Sequence, residues 1–151
     1  MMRSPTPIFL DTSFLLALAS SREELHPIAM RWQKFLSFTP RPPCSFLTTE
    51  YVLLELADGF AERRMVSLAM TIIDELRSRP TLEVVPADSA WIYRGYSLFR
   101  ERTDKAWGLT DCISFCVMNE WEAVDALTHD RHFEQAGFRA LLRHEPPGNG
   151  R

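Results

Sequence analysis

Short apolar runs alternate with longer segments whose apolar residues recur every three or four positions, and this alternation repeats along the whole chain. Ile8-Phe9-Leu10 is the first short run; it ends in Asp11 and reads as a buried strand. Thr12 and Ser13 are predicted to cap a helix whose apolar body is Phe14 to Ala19. From 23 to 38, Leu25, Ile28, Ala29, Trp32, Phe35 and Leu36 form one helical stripe, ended by Pro40, Pro42 and Pro43. Residues 44–48 read as a second strand. Thr49 then caps a helix that Asp58-Gly59 is expected to stop or kink, and a longer helix covers 60–78. Residues 82–85 read as a third strand, followed by a helix over 89–102 capped by Asp88. Residues 104–108 form a loop, and Thr110 is predicted to cap a helix over 111–120. A fourth strand, 126–128, precedes a short helix capped by Asp130 and ended by Gly137, and 140–142 reads as a weak last strand.

Short, mostly apolar strands separated by helices predict an α/β domain with a short central parallel sheet covered on both faces. The domain is expected to span 1–143. The segment 144–151, with Pro146-Pro147-Gly148-Asn149-Gly150, is expected to be a disordered tail. At 151 residues, with 46% hydrophobic positions, one core can form without metal or disulfide staples. The longest apolar run, Phe14 to Ala19, is far short of the roughly 20 residues a membrane-spanning helix needs. The N-terminal residues lack the apolar core and cleavage site of a signal peptide, so a cytoplasmic location is expected. Cys112 and Cys116, four apart on a predicted helix, read as buried thiols; no further Cys or His sits at zinc-site spacing.

Charge changes the picture twice. The formal net charge is −3, against the basic balance expected of a nucleic-acid binder. Arginines nevertheless recur at 63, 64, 77, 79, 94, 100 and 102, followed by Lys105, and these are candidates for a basic rim. The acids are more telling. In an open parallel sheet, ligands bind beyond the carboxyl ends of the strands. Asp11 closes the first strand, Asp130 follows the fourth, and Glu55 and Asp111 lie on helices able to reach the same edge. Asp111 and Asp130 are also good helix caps. Asp11 interrupts an apolar segment, where a carboxylate needs a partner. Brought together, the four would repel unless a divalent cation held them, and oxygen ligands suit Mg²⁺ or Mn²⁺. Such a site can hydrolyse a phosphodiester.

Four stretches in order resemble the PIN-domain family. They are Ile8-Phe9-Leu10-Asp11-Thr12-Ser13-Phe14, the segment from Phe46 through Val52-Leu53-Leu54-Glu55, Leu109-Thr110-Asp111-Cys112 preceded by Asp104-Lys105, and Ala126-Leu127-Thr128-His129-Asp130-Arg131-His132-Phe133. The resemblance covers nearly the whole chain. It implies an α/β/α sandwich and a Mg²⁺- or Mn²⁺-dependent ribonuclease similar to the VapC-like toxins of type II toxin–antitoxin systems. It makes Asp11, Glu55 and Asp111 the core ligands and Asp130 the fourth acid. Thr12, Ser13, Thr110 and Thr128 are candidates for supporting roles. It further implies an RNA substrate, an antitoxin partner and a homodimer. Trp32, Phe35, Phe38, Tyr51 and Phe60 are candidates to line an antitoxin groove.

Glu50 competes with Glu55 as the second acid. Five residues place the two about 140° apart around a helix, so they do not share a face, and Glu55 is preferred. His129 and His132 are read as structural or surface residues, because cation-activated water needs no histidine base. A haloacid-dehalogenase-like phosphatase would require an acid where Ser13 stands. A receiver domain would require an acidic pair on an early strand. The remaining alternative is a PIN-like domain that binds RNA or protein without cutting.

Overall fold

The computed structural model describes residues 5–38 and 40–148. Five parallel strands form one sheet: β1 (Ile8–Leu10), β2 (Phe46–Thr49), β3 (Leu82–Val85), β4 (Asp125–Leu127) and β5 (Arg139–Ala140). Their order is β3-β2-β1-β4-β5. Helices α1 (Thr12–Ala19) and α2 (His26–Ser37) connect β1 to β2, and α3 (Glu50–Glu62) and α4 (Val66–Ser78) connect β2 to β3. The chain then crosses back through α5 (Ser89–Glu101) and α6 (Leu109–Glu120) to β4, and α7 (Arg131–Gln135) leads to β5. Parallel crossovers are right-handed. The first two connections and the last two run in opposite directions across the sheet, so they cover opposite faces. The expected α/β sandwich with a short parallel sheet is the observed fold.

That order puts the reversal of direction between β1 and β4, which pair directly through Phe9 with Ala126 and Leu10 with Leu127. A crevice opens at such a reversal, beyond the carboxyl ends of the strands. Asp11 and Thr128 each stand one residue past a strand end there. The core beneath them is aromatic. Phe115 of α6 meets Phe133 of α7 edge-on, with ring centroids 5.0 Å apart, and Phe9 of β1 lies 6.1 Å from Phe133. All three are essentially inaccessible to solvent.

Several boundaries depart from expectation for physical reasons. Helix α3 runs straight through Asp58-Gly59. Gly59 serves close packing there, because a Cβ at that position would lie 3.1 Å from Leu16 Cδ1 of α1. The stop comes later, at Arg64, which takes a left-handed φ of 56° while the amide of Met65 bonds back to the Phe60 carbonyl. Helix α4 therefore begins at Val66. Gly108, not Thr110, precedes the first turn of α6. Asp11, not Thr12 or Ser13, occupies the cap position of α1, and its side chain makes no capping bond. The last strand is only Arg139–Ala140, and residues 141–143 tighten into a 3₁₀ turn.

Of the expected tail, residues 144–148 are described and 149–151 lie outside the described residues. Trp32 Nε1 donates to the His144 carbonyl at 2.9 Å, and Arg31 pairs with Glu145 at 2.8 Å. Among the described residues, no helix is long and apolar enough to cross a membrane. Helices α5 and α6 meet at Gly95, where a Cβ would fall 2.5 Å from Ile113 Cγ1. Gly95→Val is therefore expected to destabilise by about 1–3 kcal/mol through overpacking, read as a fall in Tm. An unchanged Tm would mean that this helix pair is looser than described.

Candidate metal centre

The shortest bond to the Asp11 carboxylate comes from outside its own helix. Thr128 Oγ1 donates to Asp11 Oδ2 at 2.7 Å, and Ser13 Oγ reaches the same oxygen at 3.4 Å. Thr128 is fully buried and also accepts from the Asp130 amide at 3.1 Å. One hydroxyl thus ties the acid after β1 to the loop after β4. Ser13 lies 3.3 Å from Thr128 Oγ1 and completes a small hydroxyl cluster beneath the carboxylate.

Glu55 comes from α3. Thr49 caps that helix by accepting from the Val52 amide at 3.1 Å, while Val52, Leu53, Leu56 and Phe60 bury its inner face. Glu55 sits on the flank turned toward the start of α1, where Thr12 Oγ1 donates to its Oε2 at 3.0 Å. Asp111, in the first turn of α6, accepts from the Gly108 amide at 3.1 Å. Because α6 starts two residues before the expected position, the hydroxyl of Thr110 is free to act on Glu55. Asp130 caps α7 through the His132 amide at 2.9 Å.

The acids are near enough to feel one another's charge. Burial pushes the Asp11 carboxyl up to about 7; the neighbouring charges of Glu55 and Asp111 add to the rise, and the bonds from Thr128 and the Thr12 amide oppose it. Glu55 and Asp111 are also raised, first by desolvation. Asp111 then repels Glu55, and Asp130 repels Asp111. Carboxylates in this condition lack positive charge. The donor set of oxygens, half-buried at Asp11, Asp111 and Asp130 and more exposed at Glu55, fits a divalent cation.

His132 is the residue that sequence reasoning set aside. Its Nδ1 lies 3.3 Å from Asp111 Oδ2 and 3.4 Å from Asp130 Oδ1. Asp111, Asp130 and His132 form the one group of potential ligands, among the described residues, whose atoms all lie within 4.8 Å of one another. Asp11 and Glu55 stand outside that tight group, their oxygens held by hydroxyls. The available signal was the spacing Asp130-x-His132 at the start of a helix, which turns both side chains to one end. His129 is exposed and contributes its backbone amide, 3.4 Å from Ser13 Oγ.

Other candidates fall elsewhere. Glu50 forms a two-pronged ion pair with Arg77, away from the cluster. Glu50→Gln is accordingly expected to cost less than about 1 kcal/mol, as exposed pairs do, and to leave any phosphodiester cleavage within twofold of wild type. A large loss of cleavage would reinstate Glu50 as the second acid. Asp104 pairs with Arg102 at 2.9 Å, which holds its carboxyl below the usual range. Arg63, Arg77, Arg79, Arg94 and Arg102 are each engaged in ion pairs, so five of the eight residues of the expected basic rim are locally neutralised. Cys112 is buried, which pushes its thiol up to about 11, and Cys116 is half-buried.

The five aromatic groove candidates do not share a surface. Trp32 and Phe60 are core residues, and the Tyr51 hydroxyl is tied to the Asp88 backbone. Phe35 and Phe38 are exposed. Instead, an apolar cavity of about 450 Å³ opens between α1, α2 and α4, lined by Leu15, Leu18, Leu36, Ile72 and Leu76, with Arg41 and Arg79 among its polar members.

No family model matches the chain, and no curated protein matches it. Among solved structures, that of Mycobacterium tuberculosis VapC20, described as a Sarcin-Ricin loop cleaving toxin, matches with a TM-score of 0.74 and 23% sequence identity. The match covers 89% of this chain and 98% of that one. The chain has the PIN-like fold of that toxin.

Proposed function

We propose that this chain is a metal-dependent endoribonuclease, with Asp11, Glu55, Asp111 and Asp130 as the ligand and catalytic set. The observation that carries the reading is the convergence of acids from β1, α3, α6 and the β4–α7 loop on one crevice, with three of them raised in pKa by burial and mutual repulsion. The fold of VapC20 supports it. When bound, Mg²⁺ or Mn²⁺ supplies Lewis acidity and charge neutralisation at a phosphodiester.

The protein's own groups set the geometry. Thr128 and Ser13 aim the Asp11 carboxylate, Thr12 and Thr110 steady Glu55, and the Gly108 amide fixes Asp111. Reactive geometry of this kind depends on side chains locked in place by neighbours. The substrate is RNA, and the Sarcin-Ricin loop named for VapC20 is the first to try.

We place the chain in the cytoplasm as the toxin of a toxin–antitoxin pair. Its antitoxin would be a peptide seated in the apolar cavity between α1, α2 and α4. The exposed Tyr93, Tyr96 and Phe99 of α5 support a homodimer, which sedimentation tests. The decisive assay is cleavage of a mixed RNA pool by purified protein. Cleavage is expected with Mg²⁺ or Mn²⁺ and is abolished by chelator. Binding of RNA without cleavage under any divalent ion would favour the non-catalytic alternative.

A further inference from the structure

His132 differs from an ordinary surface histidine in two respects. Its ring is mostly covered, with the side chain 27% exposed. It is also anchored at both ends. Its amide is held by Asp130 Oδ1 at 2.9 Å, and the next residue, Phe133, is buried against Phe9 and Phe115. The backbone that carries the imidazole is therefore fixed at the mouth of the carboxylate pair. Nδ1, rather than the outer nitrogen, faces the two carboxylates at 3.3 and 3.4 Å. Adjacent ligand atoms around an octahedral cation with bonds near 2.1 Å stand about 3 Å apart. The two nitrogen–oxygen pairs are already close to that spacing, and each of the three residues offers a ligand atom within 4.8 Å of the other two.

Imidazole is a borderline donor that suits transition metals. Mg²⁺ prefers oxygen and sheds its water reluctantly. We propose that His132 Nδ1 is itself a metal ligand, beside Asp111 and Asp130, so that the centre is a mixed nitrogen–oxygen site selecting Mn²⁺ and other first-row divalent ions over Mg²⁺. This rests on the metal-centre reading above and adds to it the identity of the preferred ion. The carboxylates alone would bind either ion through oxygen. The histidine adds a contact that Mg²⁺ uses poorly.

The test uses the purified full chain loaded with Mn²⁺. Pulsed electron paramagnetic resonance is expected to show a directly coordinated ¹⁴N nucleus, lost in His132→Asn. The Asn amide keeps a hydrogen-bond donor near the position of Nδ1. Calorimetry is expected to give Mn²⁺ binding at least tenfold tighter than Mg²⁺. His132→Asn should weaken Mn²⁺ about tenfold and leave Mg²⁺ within threefold. Bound Mn²⁺ with no nitrogen coupling in the wild type overturns the proposal while leaving the nuclease reading intact, and needs no variant. Equal weakening of both ions also overturns it, because His132 would then only position carboxylates. Failure of the wild type to bind Mn²⁺ at all removes both this proposal and the metal centre.

Discussion

Asp11→Asn is expected to reduce RNA cleavage by at least about 10³-fold, on the scale of losing a principal electrostatic group at a reacting phosphate. The same substitution should raise the Tm of the cation-free protein near pH 7.5. The two effects have one origin. Asp11 is buried beside Glu55 and Asp111, and its ionised form is stabilised locally only by hydroxyl and amide donors. Asn keeps an oxygen to accept from Thr128 but removes the charge. A site preorganised for a cation costs stability when the cation is absent. Cleavage assays and melting curves in chelator check both arms. An Asn variant that cleaves normally would remove Asp11 from the mechanism. One that melts earlier would mean that the carboxylate is well compensated in the metal-free fold.

The second large effect is on pH. Asp11, Glu55 and Asp111 all have folded pKa values raised from their ordinary ones, Asp11 to about 7. Between the unfolded and folded values the native state holds more protons than the unfolded chain, so stability falls as pH rises. The contribution is complete below the unfolded value and is lost as pH climbs through the folded one. Between pH 5 and 8 the cation-free protein should lose about 5 °C or more of Tm, a slope that Asp11→Asn flattens. A divalent cation competes with those protons. Mn²⁺ should therefore raise Tm more at pH 8 than at pH 5. A cation-free Tm that rises over this interval would contradict the raised carboxyls.

Much of this was legible in the chain because local and global signals agree. Ile8-Phe9-Leu10 is a strand with no polar interruption and Leu82–Val85 has only Glu83, and the pattern of strand, helix, strand left little choice but a parallel sheet. Thr49, Asp88 and Asp130 cap the helices for which their side chains suit them. The misreadings share a cause, which is that a residue's local preference was overridden by a contact distant in sequence. Gly59 has the profile of a helix breaker but faces Leu16 of another helix. Thr12 has the profile of a cap but turns to Glu55, 43 residues away. His132 could not be placed from composition, because its relation to Asp111 exists only once α6 and α7 have packed through Phe115 and Phe133. The arginines formed a plausible basic rim along the chain. The partners of Arg79 and Arg102 are local, but those of Arg63, Arg77 and Arg94 come from elements that only the fold brings near.

Anomalous diffraction from crystals soaked in Mn²⁺ locates the ion itself. A manganese peak is expected in the crevice past β1 and β4, within bonding reach of carboxylates drawn from Asp11, Glu55, Asp111 and Asp130. A fully soaked crystal with no peak there, or with manganese bound only elsewhere on the surface, would contradict the proposed metal centre.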